Sequence, residues 1–175
     1  MSVKASSLFT RLFRRDDPRQ ALAPLYDAIV AEGRREHWYA QGAVPDTIDG
    51  RFDMIVAILA QVLLRLEQAA AAQDSVWLTE LFVDDMDGQL RQQGIGDVVV
   101  GKHVGRMMSA LGGRLAAYRA ALTGEADLAE ALSRNLYRSV APDPAALAHV
   151  EAEIRAGWAR RRDVTVDRLR AGDIG

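Results

Sequence analysis

Few residues in this sequence have the type and spacing to do chemistry. The histidines are His37, His103 and His149. No two of them stand three or four positions apart, so no helical turn pairs them as metal ligands, and no H-E-x-x-H is present. Each reads as an ordinary polar or partly buried residue. Cysteine is absent, which excludes thiol catalysis, thiolate metal sites and a disulfide framework. Neither a G-x-x-x-x-G-K-[ST] loop nor a G-x-G-x-x-G after a strand occurs, so nucleotide binding has no support, and no cofactor is expected.

The run Asp84-Asp85-Met86-Asp87 is the next candidate. On a helix turning about 100° per residue from Asp84, the residues Leu78, Leu81, Phe82, Met86 and Leu90 fall between about 60° and 240°. Glu80, Asp84, Asp87 and Arg91 lie on the opposite, polar face, whereas Asp85 falls inside the apolar arc. A carboxylate there is costly unless paired or hydrogen-bonded. The spacing predicts that Asp85 is partly buried against a cation, with Lys102, Arg106 and Arg51 as candidates, and that this pair fixes helix register. The enzymatic alternative uses Asp85 with His103, and it requires the two side chains to converge in an open cleft. Gly101, Gly105 and Ser109 repeat small residues every four positions, the pattern of a tight helix crossing or of a groove for a partner's helix.

The elements that must position these residues read as helices. A first helix starts near Leu22 with Pro24 in its first turn and is interrupted at Gly33. A short piece spans Arg34 to Gln41, and Pro45 turns the chain. A long helix from about Thr47 to Ala71 carries Ile48, Phe52, Ile55, Leu59, Val62, Leu63 and Leu66 at helical spacing. It is apolar nearly all round, which predicts a central position. Asp74 or Ser75 caps a third helix ending at Gly94, and Asp97 caps a fourth. In the fourth, Val104, Met108, Leu111, Leu115, Tyr118 and Leu122 form a seam, with Gly112-Gly113 as a place to kink. Two more helices follow, about Glu125 to Arg138 and Pro144 to Arg162. No stretch alternates like a half-buried strand. The expected fold is an all-α, single-domain bundle of about six helices over residues 21–162, with a basic amphipathic segment at 1–20 and a flexible tail at 163–175.

Charge and hydropathy bound the function classes further. The 22 basic and 24 acidic residues give a net charge of -2, which lacks the basic footprint of a nucleic-acid binder, so no DNA partner is expected. The longest charge-free apolar run, Met54 to Leu64, falls short of the roughly 20 residues a bilayer requires. In Met1 to Arg15, Leu8, Phe9, Leu12 and Phe13 share one helical face against Lys4, Arg11, Arg14 and Arg15. A self-packed terminal helix, a peripheral membrane contact and a mitochondrial transit peptide are all open for it. The Arg-rich C-terminal stretch, Arg155, Arg160, Arg161, Arg162, Arg168 and Arg170, is a candidate for touching anionic lipid or ribosomal RNA.

Several ordered strings point to a family. They are Leu25 to Val30, Trp38-Tyr39, Val44 to Asp53, Asp84 to Asp87, Leu90-Arg91, Gly94 to Asp97, Val100-Gly101-Lys102, Gly113 to Tyr118 and Arg134 to Arg138. Together these resemble the ubiquinol–cytochrome c chaperone family over roughly Pro24 to Arg138. Gly112 departs from the pattern, standing where a bulky aromatic is expected. The resemblance implies a non-enzymatic assembly factor for the respiratory quinol–cytochrome c reductase. Mitochondrial members bind newly made cytochrome b, associate with the ribosome and work with a small partner protein. For this chain it implies a cytoplasmic protein, peripheral at the inner face of the membrane (the matrix side in a eukaryote). Candidate partner contacts are Tyr39, Asp46, Arg51, Asp84, Asp87, Arg91, Lys102, Arg106 and Arg114. Asp46 and Asp97 also read as helix caps.

Overall fold

The computed structural model describes residues 17–92 and 97–175, with side chains described outside 89–104 and 106–108. A 3₁₀ turn, Pro18–Leu22, opens it, and the Asp17 carboxylate accepts from Arg19 N at 3.0 Å to cap it. Eight α-helices follow among the described residues: α1 (Ala23–Gly33), α2 (Glu36–Ala40), α3 (Ile48–Gln68), α4 (Ala72–Gln92), α5 (Asp97–Thr123), α6 (Leu128–Asn135), α7 (Pro144–Arg161) and α8 (Val166–Arg170). Six of these have eight residues or more. The fold is an all-α bundle, and no strand occurs among the described residues.

The apolar character of α3 decides the architecture. From Phe52 to Leu64 every residue is buried, because neighbours cover the helix on all sides. It packs against α1, α4, α5 and α7, and α5 also meets α4 and α6. Gly33 lets the end of α1 approach α3 closely, since a Cβ there would stand 2.9 Å from Ile55 Cγ1. Leu111 and Tyr118 of the expected α5 seam are buried, while Leu115 and Leu122 pack at the core edge.

Three local expectations are corrected. Ile48, placed by its spacing with the core residues of α3, is 59% exposed, because the first turn of the helix precedes its contact with the bundle. The cap of α3 is Thr47, whose Oγ1 accepts from Gly50 N at 3.1 Å, and not Asp46. Residues 163–175 are not a loose tail. Val164, Leu169 and Ile174 are buried, α8 packs on α1, and Arg170 makes a two-pronged ion pair with Asp74 at 2.9 Å.

The small-residue stripe does not form a tight crossing at its described positions. Gly105 and Ser109 are exposed, and a Cβ on Gly105 would meet open space; Gly101 lies outside the described side chains. The helix α5 continues through Gly112 and Gly113, where an added Cβ likewise meets nothing within 4 Å. Glycine costs about 0.5–1 kcal/mol relative to alanine in a helix interior. Gly113→Ala is therefore expected to raise the unfolding free energy by that amount, read as a higher denaturation midpoint in urea.

Candidate functional site

Four features on or in the bundle gather polar or apolar groups that could serve a function. The first is a buried charge centre at the start of α3. Asp53 is fully buried, Arg138 Nε donates to its Oδ2 at 2.7 Å, and Arg114 Nη2 of α5 lies 2.9 Å from Oδ1. Arg138 also donates to Asp49 at 2.7 Å, and Arg114 stands over the Phe52 ring, 5.8 Å from its centroid. Burial pushes the Asp53 carboxyl above the usual carboxylate range, and the two guanidiniums oppose this, so the pair is held by position in a dry site. Arg138 and Ser139 adopt left-handed backbone, with φ of 53° and 63°, a conformation disfavoured for side chains with a Cβ. The Asp53 and Asp49 contacts hold Arg138 there. Arg114 was expected at a partner surface; the structure places it in this centre, three-quarters or more covered.

The second feature brings three expected contact residues together. Tyr39, Asp46 and Arg51 line an open recess of about 580 Å³ with Arg34 and Glu36. Arg51 Nε donates to Asp46 Oδ1 at 2.6 Å, which holds the Asp46 carboxyl below its ordinary value. The Tyr39 hydroxyl donates to Gly33 O at 2.7 Å. Exposed Ile48 sits one helical turn before Arg51 on the same side of α3.

The remaining expected residues are apart from this recess. Asp84 is exposed on α4 and accepts from Arg19 at 2.8 Å. Asp87 is half-buried. Arg91, Lys102, Arg106 and His103 lie outside the described side chains. Asp85 is half-buried and accepts from the Tyr26 hydroxyl at 2.7 Å, and burial with that carboxylate raises the Tyr26 pKa. Arg51, one of the cations proposed for Asp85, is instead tied to Asp46.

The third feature is an apolar groove of about 360 Å³ between α3, α4 and α5. Leu63, Leu64, Val76 and Leu115 form it, with Glu67, Glu80 and Arg119 at its rim, and Arg119 pairs with Glu67. The hydroxyls of Ser75 and Thr79 on its wall donate to the carbonyls four residues back, Ala71 O and Ser75 O, so they present little polarity outward. Sequence periodicity had no way to single out this groove, because its apolar residues Leu63 and Leu115 read as core.

The fourth feature joins two histidines that sequence spacing kept apart. His37 Nδ1 and His149 Nε2 are 3.1 Å apart across α2 and α7, so one must donate and the other accept. Burial, Arg35 and His149 lower the His37 pKa below 6.5, against Glu153 and Glu32. The unfolded chain binds a proton at His37 below about pH 6.5 that the folded chain resists, so this contribution to stability is full above that pH and is lost as pH falls. The melting temperature is expected to drop between about pH 7.5 and 5.5, and less so in His37→Gln. At the other end of α7, buried Arg161 donates to Gln61 Oε1 at 2.9 Å and stands 3.5 Å from Glu32. Gly157 makes the room, since a Cβ there would fall 2.1 Å from Arg161 Nη1.

Among the described residues, five of the six arginines of the Arg-rich stretch are ion-paired, and exposed Arg160 is not. Arg155 pairs with Glu151, Arg161 with Glu32, Arg162 with Asp163, Arg168 with Asp173 and Arg170 with Asp74. Among the described residues no group of three or more histidines and carboxylates is arranged to hold a metal, and no helix is long and apolar enough to cross a membrane.

Comparison with known proteins decides the family. The profile described as "Ubiquinol-cytochrome C chaperone" matches residues 40–174. This chain belongs to the ubiquinol–cytochrome c chaperone family. A solved structure described as the "Crystal structure of the Cbp3 homolog from Brucella abortus" superposes with a TM-score of 0.77 at 32% identity, covering 95% of both chains. None of the curated proteins compared matches the chain. The chaperone-family match extends past Arg138, where the resemblance read from the sequence stopped, to include α7 and α8, whose buried Val150, Ile154 and Leu169 belong to the same core. The buried centre is part of the matched span, since Asp53, Arg114 and Arg138 all fall within it.

Proposed function

We propose that this chain is a non-enzymatic assembly chaperone that holds newly made cytochrome b during biogenesis of ubiquinol–cytochrome c reductase, at the inner face of the membrane. The observation that carries the proposal is the chaperone-family match across residues 40–174. The site geometry is compatible with a holding role. Charged groups in both places are engaged with one another, Arg51 with Asp46 at the recess and Arg114 and Arg138 with Asp53 in the buried centre.

The client contact is assigned to the recess of Tyr39, Asp46 and Arg51 together with Ile48. A largely charged recess with Tyr39 in its wall and exposed Ile48 beside it suits a transient protein contact, in which a few anchors carry the affinity and the charges set orientation. Asp84, Asp87, Arg91, Lys102 and Arg106 remain in the proposed contact set, whereas Arg114 serves the fold.

Capture from membranes that are making cytochrome b tests this. The parent chain is expected to retain cytochrome b, and Ile48→Glu, at an exposed position, is expected to reduce capture about tenfold, the worth of one apolar anchor of about 1.4 kcal/mol. No cytochrome b above background on the parent chain would overturn the reading.

A further inference from the structure

An apolar groove lies between α3, α4 and α5. We propose that the amphipathic segment of residues 1–16 docks in it through Leu8, Phe9, Leu12 and Phe13. Three observations carry this. The described chain begins at the rim of the groove, because Arg19 lies 3.6 Å from Glu80, a groove residue, and bonds Asp84 one turn further along α4. The 16 residues that precede Asp17 include four large apolar side chains on one helical face, and a helix of that length spans about 24 Å, more than enough to reach back across α4. The charges also match. Residues 1–15 carry Lys4, Arg11, Arg14 and Arg15 and no acid, and α4 presents the half-exposed carboxylates Glu80 and Asp84 beside Arg19, where the described chain begins.

The groove itself is suited to such a segment. Its volume lies within the roughly 300–1,000 Å³ of sites that enclose apolar ligands. Val76, 50% exposed on its wall, is one of few large apolar side chains left open among the described residues. A docked segment would cover it. This inference is independent of the client contact, which lies in the Tyr39, Asp46 and Arg51 recess.

The cysteine-free sequence makes the test direct, because an introduced thiol is the only one present. Val76→Cys in the otherwise intact chain is expected to react with a maleimide at least about ten times more slowly than the same thiol in a chain whose Leu8, Phe9, Leu12 and Phe13 are serine. A Val140→Cys control, at a position 73% exposed, is expected to react equally in both backgrounds. Equal rates at Val76→Cys would overturn the proposal. A second measurement is mild oxidation of the dilute Phe9→Cys/Val76→Cys chain. A disulfide within one chain supports docking. Its absence, its formation only between chains, or equal formation in Phe9→Cys/Val140→Cys overturns docking.

Discussion

Asp53→Ala is expected to lower the unfolding free energy by about 3–5 kcal/mol, the cost of breaking a buried ion pair by removing one partner. The carboxylate is fully buried and faces guanidinium groups of Arg114 and Arg138 at 2.9 and 2.7 Å. Arg138 is half-exposed and retains Asp49, so it loses one contact and its anchor in left-handed backbone. Arg114 has no such escape, because its side chain is only 15% exposed. The uncompensated charge on Arg114 therefore makes most of the loss. Replacing both partners, as in Asp53→Leu/Arg114→Met, is expected to recover much of it, since an apolar pair of similar volume avoids the desolvation cost. Urea denaturation of the parent and the two variants checks this, and an Asp53→Ala midpoint equal to the parent's would remove the centre from any account of stability.

Gly50→Ala is expected to be as damaging, at about 3 kcal/mol or more. The added Cβ would stand 1.9 Å from Pro45 O and 2.9 Å from its carbonyl carbon. The obstacle is backbone, fixed by the turn that leads into α3 and by the Thr47 cap, so no side-chain rotation relieves it. The comparison with Gly113→Ala is informative, because the same substitution in a helix is expected to change sign. Alanine is the better helix former at both positions, but only at Gly113 is there space for its methyl group. Circular dichroism during thermal unfolding separates the two, and a Gly50→Ala melting temperature at or above the parent's would contradict the close contact.

The sequence reading succeeded where one element carries its own pattern. The central place of α3 follows from apolar residues on every face, and Leu111 and Tyr118 follow from the seam of α5. It failed where the pattern belongs to two distant segments. Asp53 read only as the charge that closes an apolar run, because its partner Arg138 lies 85 residues away and local spacing says nothing about that approach. Arg161 and Arg170 read as parts of a basic tail for the same reason, with Glu32 far from Arg161 along the chain and Asp74 96 residues from Arg170. In residues 163–175, the buried Val164, Leu169 and Ile174 recur at five positions, which is neither a helical nor a strand period, so their packing left no signal. His37 and His149 belong with these cases, being neighbours only in space. The family strings did contain Asp53, Arg114 and Arg138 together, though not their contact.

This chain belongs to the ubiquinol–cytochrome c chaperone family, and the client proposed for it is cytochrome b. The most direct measurement is the cytochrome b absorbance and quinol–cytochrome c reductase activity of membranes from cells lacking the gene, with another respiratory complex followed in the same membranes. The account predicts that both signals fall together while the other complex persists, and that the parent chain restores them. Membranes with undiminished cytochrome b and reductase activity would contradict it.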